Sequence, residues 1–215
     1  MKWLPLTVLG LALAGGARAE DIVDVMRRSQ QTRLDAMPVA SAGPRVQVLQ
    51  RSFEQVRRAL PGDLVAELRV VSAGTLAETL HGRIVVVHER LAEMPEGARL
   101  FVLAHELGHV AGHHWEQLGA VYRHWIPGEV TPATTDPVAG ALGREASAAS
   151  HRHEYEADAY ALRVLRAMGR TPQDAFAAFT AQGLLHDTAT HPGTRKRVAS
   201  LRAALSGLPS GGDAE

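Results

Sequence analysis

Three residues in one stretch have the types and spacing to do chemistry together: His105, Glu106 and His109, in the run Leu103-Ala104-His105-Glu106-Leu107-Gly108-His109-Val110. The run is apolar enough to read as a helix, on which residues four apart share a face with a rise of ~6 Å. His105 and His109 can therefore aim two imidazoles at one ion, as half of a zinc site. Glu106 then points beside the metal, where a carboxylate can take a proton from the attacking water and pass it to a leaving amine. The alternative is a buried helix that happens to contain two histidines. Such a helix would carry three polar groups in need of partners beside an apolar face of Leu100, Leu103, Ala104, Leu107 and Ala111. A third ligand decides between the two readings.

Nine of the 11 histidines fall between His105 and His191, so spacing has to select among them. The metzincin pattern fails, because Trp115 stands where its third histidine belongs. His113 shares the face of His109 but lies another ~6 Å along the axis, too far for one ion on a straight helix. His113 and His114 are expected to be solvated or in loop contacts. Glu154 is the better candidate. It lies on an alanine-rich run with Asp158 one turn away on the same face, while Glu156 points elsewhere. A Glu154 ligand gives a His2Glu set with an open fourth position, as in catalytic zinc sites. Asp158 can accept the second ring N–H of a ligand histidine and fix its tautomer. An exposed acidic helix face is the competing reading for this pair, and an awkward one amid so many alanines.

With these residues in view the sequence resembles the M48 peptidases. The resemblance rests on His105-Glu106-Leu107-Gly108-His109, then Glu154-Tyr155-Glu156-Ala157-Asp158, then Thr190-His191-Pro192 with Arg197, and it spans about residues 68–201. It implies an α+β, mainly helical zincin fold of the gluzincin type, with a small sheet beside the active-site helix. It also implies one zinc ion on His105, His109 and Glu154, and Glu106 as general base. His191 would face the cleft, stabilising the oxyanion or occupying the open metal position in a resting form. Arg197 matches a family arginine that braces the site, by pairing with Asp158. The sequence departs from the family at His151, where an arginine is common, and it lacks the transmembrane helices of the membrane-bound members, so it is similar to the exported ones.

These residues need elements to position them. Amphipathic helices are expected over about 21–36 and 45–60, joined by a linker from Pro38 to Pro44. Two β-rich runs follow, Glu67 to Val71 and Arg83 to Val87. If Arg83, Ile84, Val85, Val86 and Val87 lie at a sheet edge, their free backbone groups can pair with an extended substrate and draw it across the metal. The valine-rich sequence suits an interior strand equally well. The motif helix is expected from about Pro95 to Trp115, and the stretch from Glu116 to about Asp136, with Pro127, Gly128 and Pro132, as a loop that covers the cleft. In it Trp125 and Ile126 are either a lid or ordinary core. A long helix from Pro137 to Met168 precedes one opened by Thr171 and Pro172 and running to about Leu185. The last starts near Pro192, and Gly207 to Glu215 reads as a frayed tail.

Composition bounds the rest. A length of 215 residues, 46% of them hydrophobic and 21% charged, suits one globular domain, taken here as residues 20–215. Lys2, the apolar run Trp3 to Gly16 and the small-x-small site Ala17-Arg18-Ala19 form a secretory signal peptide over residues 1–19, too short to span a bilayer. Cleavage after Ala19 turns a balance of 23 basic and 23 acidic residues into a net charge of about −2. That balance favours neither nucleic acid nor an acidic membrane surface as partner. With no cysteine there is neither a disulfide nor a lipid-modified cysteine, and zinc ligands must be His, Asp or Glu. The expectation is a bacterial enzyme, periplasmic or secreted, that hydrolyses polypeptides in envelope quality control. A non-hydrolytic, chaperone-like zinc protein is the rival, and it has no need of Glu106.

Overall fold

The computed structural model describes residues 20–60, 62 and 64–206. The expected signal peptide and the expected tail from Gly207 lie outside these residues. Helix α1, Ile22–Asp35, is capped by Asp21, whose carboxylate accepts the Val23 N–H at 2.8 Å. Helix α2, Pro44–Arg58, starts on proline and buries Leu49, Phe53 and Val56, an apolar face at helical spacing.

Strands β1 (Glu67–Val71), β2 (Ala77–Leu80) and β3 (Ile84–His88) form one sheet in the order β1-β3-β2. β1 runs parallel to β3, with Glu67 opposite Ile84, and β2 runs antiparallel to it, with Ala77 opposite Val87. The expectation of an edge strand at Arg83 to Val87 is thereby corrected. Arg83 precedes the strand, and Ile84, Val85, Val86 and Val87 form its buried centre, paired on both sides. Burial on both faces is what an uninterrupted valine run favours. The cleft-side edge is instead β2, which Ala-Glu-Thr-Leu does not announce, because two of its four residues are poor strand formers. A tight turn with His81 at φ 54° and Gly82 at φ 67° folds it back onto β3.

Helix α3, Glu96–Ala111, runs through the middle of the molecule with every residue from Leu100 to Gly108 buried. It ends at Gly112, and His113, left-handed at φ 52°, redirects the chain into α4, His114–Trp125. The long loop expected after Glu116 is therefore mostly helix. No proline interrupts the chain until Pro127, and Leu118, Val121, Tyr122 and Trp125 recur at helical spacing against Ile22, Val23 and Leu142. Trp125 and Ile126 form no lid: Ile126 is buried, and the Trp125 indole donates to Glu145 at 2.7 Å. A one-turn α5, Pro132–Thr135, leads to α6, Ala139–Ala167, a 29-residue helix that packs along α3, meeting it at Ala157, and whose Leu142 and Ala146 pack with Ile22, Val23 and Ile126.

At the crossing a methyl group on Gly108 would sit 3.0 Å from the Ala157 Cα. Gly108 and Ala157 are thus the small residues that let the two backbones approach. Helix α7, Pro172–Gln182, opens with the expected Thr171 cap and stops at Gly183, where φ is 80°. Helix α8, Thr194–Ser206, packs on α6 and α7. Among the described residues no helix is long and apolar enough to cross a membrane.

Candidate metal centre and active site

The close α3–α6 crossing brings His105, His109 and Glu154 together. The two Nε2 atoms lie 3.2 Å apart, His105 Nε2 lies 3.5 Å from Glu154 Oε2, and His109 Nε2 lies 3.3 Å from Glu154 Oε1. Ligands 2.0–2.1 Å from a tetrahedral ion are separated by ~3.3–3.4 Å, so the spacing fits one metal ion. The chemistry fits as well. Glu154 Oε2 is buried without an aligned hydrogen-bond donor, although Arg197 Nη1 approaches to 3.2 Å. These three are a group that could hold a metal ion.

The surroundings hold the cluster for a cation. Asp158, almost fully buried, lies with Oδ1 3.0 Å from His105 Nδ1 and accepts both Arg197 Nε and Nη2, at 2.8 and 2.5 Å. Burial resists charge on both carboxylates, but His105, His109 and Arg197 more than compensate at Glu154, as Arg197 and His105 do at Asp158, so both pKa values fall. Burial and Arg197 also oppose charge on His105, yet Asp158 and Glu154 prevail and push its pKa up to about 10. The metal-free site thus holds a proton where a metal would supply the positive charge.

Glu106 follows His105 on α3, and the Thr79 hydroxyl of β2 lies 2.8 Å from its Oε2 and 3.0 Å from its main-chain oxygen. Thr79 went unread in the sequence because β2 did. His191 lies on the loop before α8. Its exposed ring points Nε2 towards Glu154 Oε1 at 3.5 Å, while Nδ1 lies 2.8 Å from Thr190 Oγ1. His151, where the sequence departs from the family resemblance, hydrogen-bonds through Nε2 to the Thr188 carbonyl at 2.8 Å, tying that loop to α6.

His114 departs from the expectation. It is buried, with Nδ1 2.8 Å from His109 Nδ1, Nε2 3.2 Å from Glu156 Oε2, and its ring stacked on His153 at 4.2 Å between centroids. Burial, then repulsion from His109, His153 and His105, pushes its pKa down to about 3. Only the break at Gly112 and His113 makes this placement available, and a straight-helix reading does not contain it.

A cleft opens on both sides of this centre. One part, about 460 Å³, has apolar walls that include Leu76, Phe101, Val102, Phe179 and Leu185. The other, about 290 Å³, is more polar, with Gln30, Arg33, Glu78, Ser150 and His153. His105, Glu106, Glu154 and His191 line both. β2 runs along the cleft. Leu76 accepts from the His88 N–H, so by antiparallel alternation Ala77 and Thr79 turn their main-chain N–H and C=O groups away from β3.

Convergent nitrogen and oxygen donors, a neighbouring carboxylate held by a hydroxyl and a cleft crossed by a free strand edge are the equipment of a metal-dependent hydrolase. Comparison with known families narrows the class: the chain belongs to peptidase family M48, whose profile matches residues 47–205, roughly three quarters of its length. It is a metallopeptidase of that family, with polypeptides as substrates. No curated protein sequence matches it in a direct comparison.

Proposed function

We propose that the protein is a zinc-dependent endopeptidase with the zincin fold, one ion per chain being held by His105, His109 and Glu154. The observation that carries this reading is the set of three donor-to-donor distances of 3.2, 3.3 and 3.5 Å around a buried point. Two imidazoles and a carboxylate with no thiol favour zinc at such a site. Bound zinc supplies Lewis acidity, polarising the scissile carbonyl and lowering the pKa of water to ~7.

The chain's own residues do the rest. Glu106 takes the proton of the attacking water and delivers it to the leaving amine, its carboxylate kept in position by Thr79. Asp158 holds the His105 ring and Arg197 holds Asp158. Ala77 and Thr79 offer backbone groups to an extended substrate, the role first sought at Arg83 to Val87. His191 points its Nε2 at the centre from an exposed loop, placed to donate to the oxyanion or to close the fourth position.

The apolar half of the cleft accepts bulky hydrophobic side chains, which unfolded and unassembled chains expose. Together with the leader-like residues 1–19, this supports quality control in the bacterial envelope, with the mature chain periplasmic or secreted. Incubation of zinc-loaded protein with unfolded casein tests the reading. Cleavage that is abolished by chelator and by Glu106→Gln, with zinc still bound in the variant, is expected. Intact casein with the zinc-loaded wild type would favour the chaperone-like alternative, and cleavage by the variant would remove Glu106 from its role.

A further inference from the structure

We infer that His114 and Glu156 form a positioning relay that sets the tautomer of His109 and so presents its Nε2 lone pair to the metal. The inference rests on the proposed metal site and adds residues that the motif does not contain.

The two Nδ1 atoms of His109 and His114 are 2.8 Å apart, a separation that requires one hydrogen between them. At the far side of the His114 ring, Nε2 lies 3.2 Å from the Glu156 carboxylate, which can only accept, so this nitrogen carries a hydrogen. A neutral His114 then has a bare Nδ1, and the shared hydrogen belongs to His109. In the zinc-loaded protein His109 would thereby be held as the Nδ1–H tautomer, its Nε2 lone pair free for the ion that His105 Nε2 and Glu154 Oε1 also face. This is the counterpart on the second histidine of what Asp158 does for the first.

The fold makes room for the relay in three ways. A methyl group on Gly112 would lie 2.3 Å from His114 Nε2, so the glycine admits the ring. His113 takes the left-handed conformation that turns α4 back and carries His114 beneath His109. His153 stacks on the ring within 4° of parallel and is itself held through Nε2 by Gln117 Oε1 at 3.1 Å. A histidine present only as packing would not need an aligned partner at each nitrogen.

The test is zinc affinity, measured by competition with a chromophoric chelator, together with the melting of each metal-free variant. His114→Leu keeps an apolar filling but no acceptor and should weaken zinc binding ~10–100-fold. His114→Asn places an amide oxygen where Nδ1 stood and should recover affinity to within a few-fold of wild type. Gly112→Ala suits its own φ of −80° but puts a methyl 2.3 Å from His114 Nε2, so it should still fold, melt lower than wild type and lose affinity by displacing the ring. Glu156 is largely exposed, so Glu156→Gln tests the relay without disturbing the core, and a weakening of a few-fold is expected. In the zinc-loaded protein the His109 Nδ1–H resonance should persist in His114→Asn and exchange rapidly in His114→Leu.

If the wild type binds zinc while His114→Leu binds as tightly, or no better and no worse than His114→Asn, the relay is wrong and the metal site stands. A wild type that binds no zinc would overturn both. Should His114→Leu fail to fold, Gly112→Ala and Glu156→Gln decide: wild-type affinity in both overturns the relay.

Discussion

Replacing Asp158 with alanine should be among the most damaging single changes in the molecule, and its cost follows from what the carboxylate holds. Asp158 is almost fully buried, accepts two hydrogen bonds from Arg197 and faces His105 Nδ1 at 3.0 Å. The Arg197 side chain is only 12% exposed, so Asp158→Ala leaves a guanidinium without its main counter-ion in a place water hardly reaches. Breaking a buried pair from one side costs about 3–5 kcal/mol. Removing both partners leaves no orphan charge, so Asp158→Ala/Arg197→Met should be less destabilised than the sum of its parts, with a coupling of about 1–3 kcal/mol. Urea unfolding of the four metal-free proteins at pH 7 reads both quantities. The carboxyl pKa is lowered in the folded state, so the contribution is complete at pH 7 and fades only as acid titrates below the ordinary carboxylate range. A loss below about 1 kcal/mol for Asp158→Ala, or strict additivity in the double variant, would refute this reasoning.

Other expectations can be checked alongside. Gly108→Val should cost about 1–3 kcal/mol and weaken metal binding, because added methyls meet the Ala157 backbone and push Glu154 away; thermal melts and zinc titration read the two effects. Thr79→Val should lower kcat about tenfold with little change in KM, since the hydroxyl steadies Glu106 and not the substrate; an unchanged kcat would leave Thr79 without a role in the reaction. Ala77→Pro removes an N–H that no neighbouring strand uses, so folding should survive while KM for casein rises, and an unaltered KM would take β2 out of substrate binding. His105 keeps its proton to about pH 10 in the metal-free site, so zinc uptake at pH 7 must displace it. Affinity should rise about tenfold per pH unit between pH 7 and 8, with about one proton from this group appearing in a weakly buffered titration.

What the sequence made legible and what it hid follow physical lines. The ligand histidines sit at helical spacing on a helix whose apolar residues define it, and Glu154 and Asp158 share the same four-residue spacing on α6. The alanines there anticipate the close crossing that Gly108 and Ala157 make. β2 was hidden because Ala77 to Leu80 have no alternation of their own and are held as a strand by pairing with β3. The central position of β3 was open from a valine run that suits edge and centre alike. His114 was hidden by a single backbone event, the left-handed His113, which no periodicity reports. Without it α3 and α4 merge into one straight rod, and His114 turns to solvent instead of lying under His109.

The central claim is that His105, His109 and Glu154 hold one zinc ion. Anomalous scattering measured at the zinc edge from crystals of the zinc-loaded protein tests it most directly. One peak at ~2.0–2.2 Å from both Nε2 atoms and the Glu154 carboxylate is the predicted result. A peak bonded elsewhere, or none at stoichiometric zinc, would contradict it.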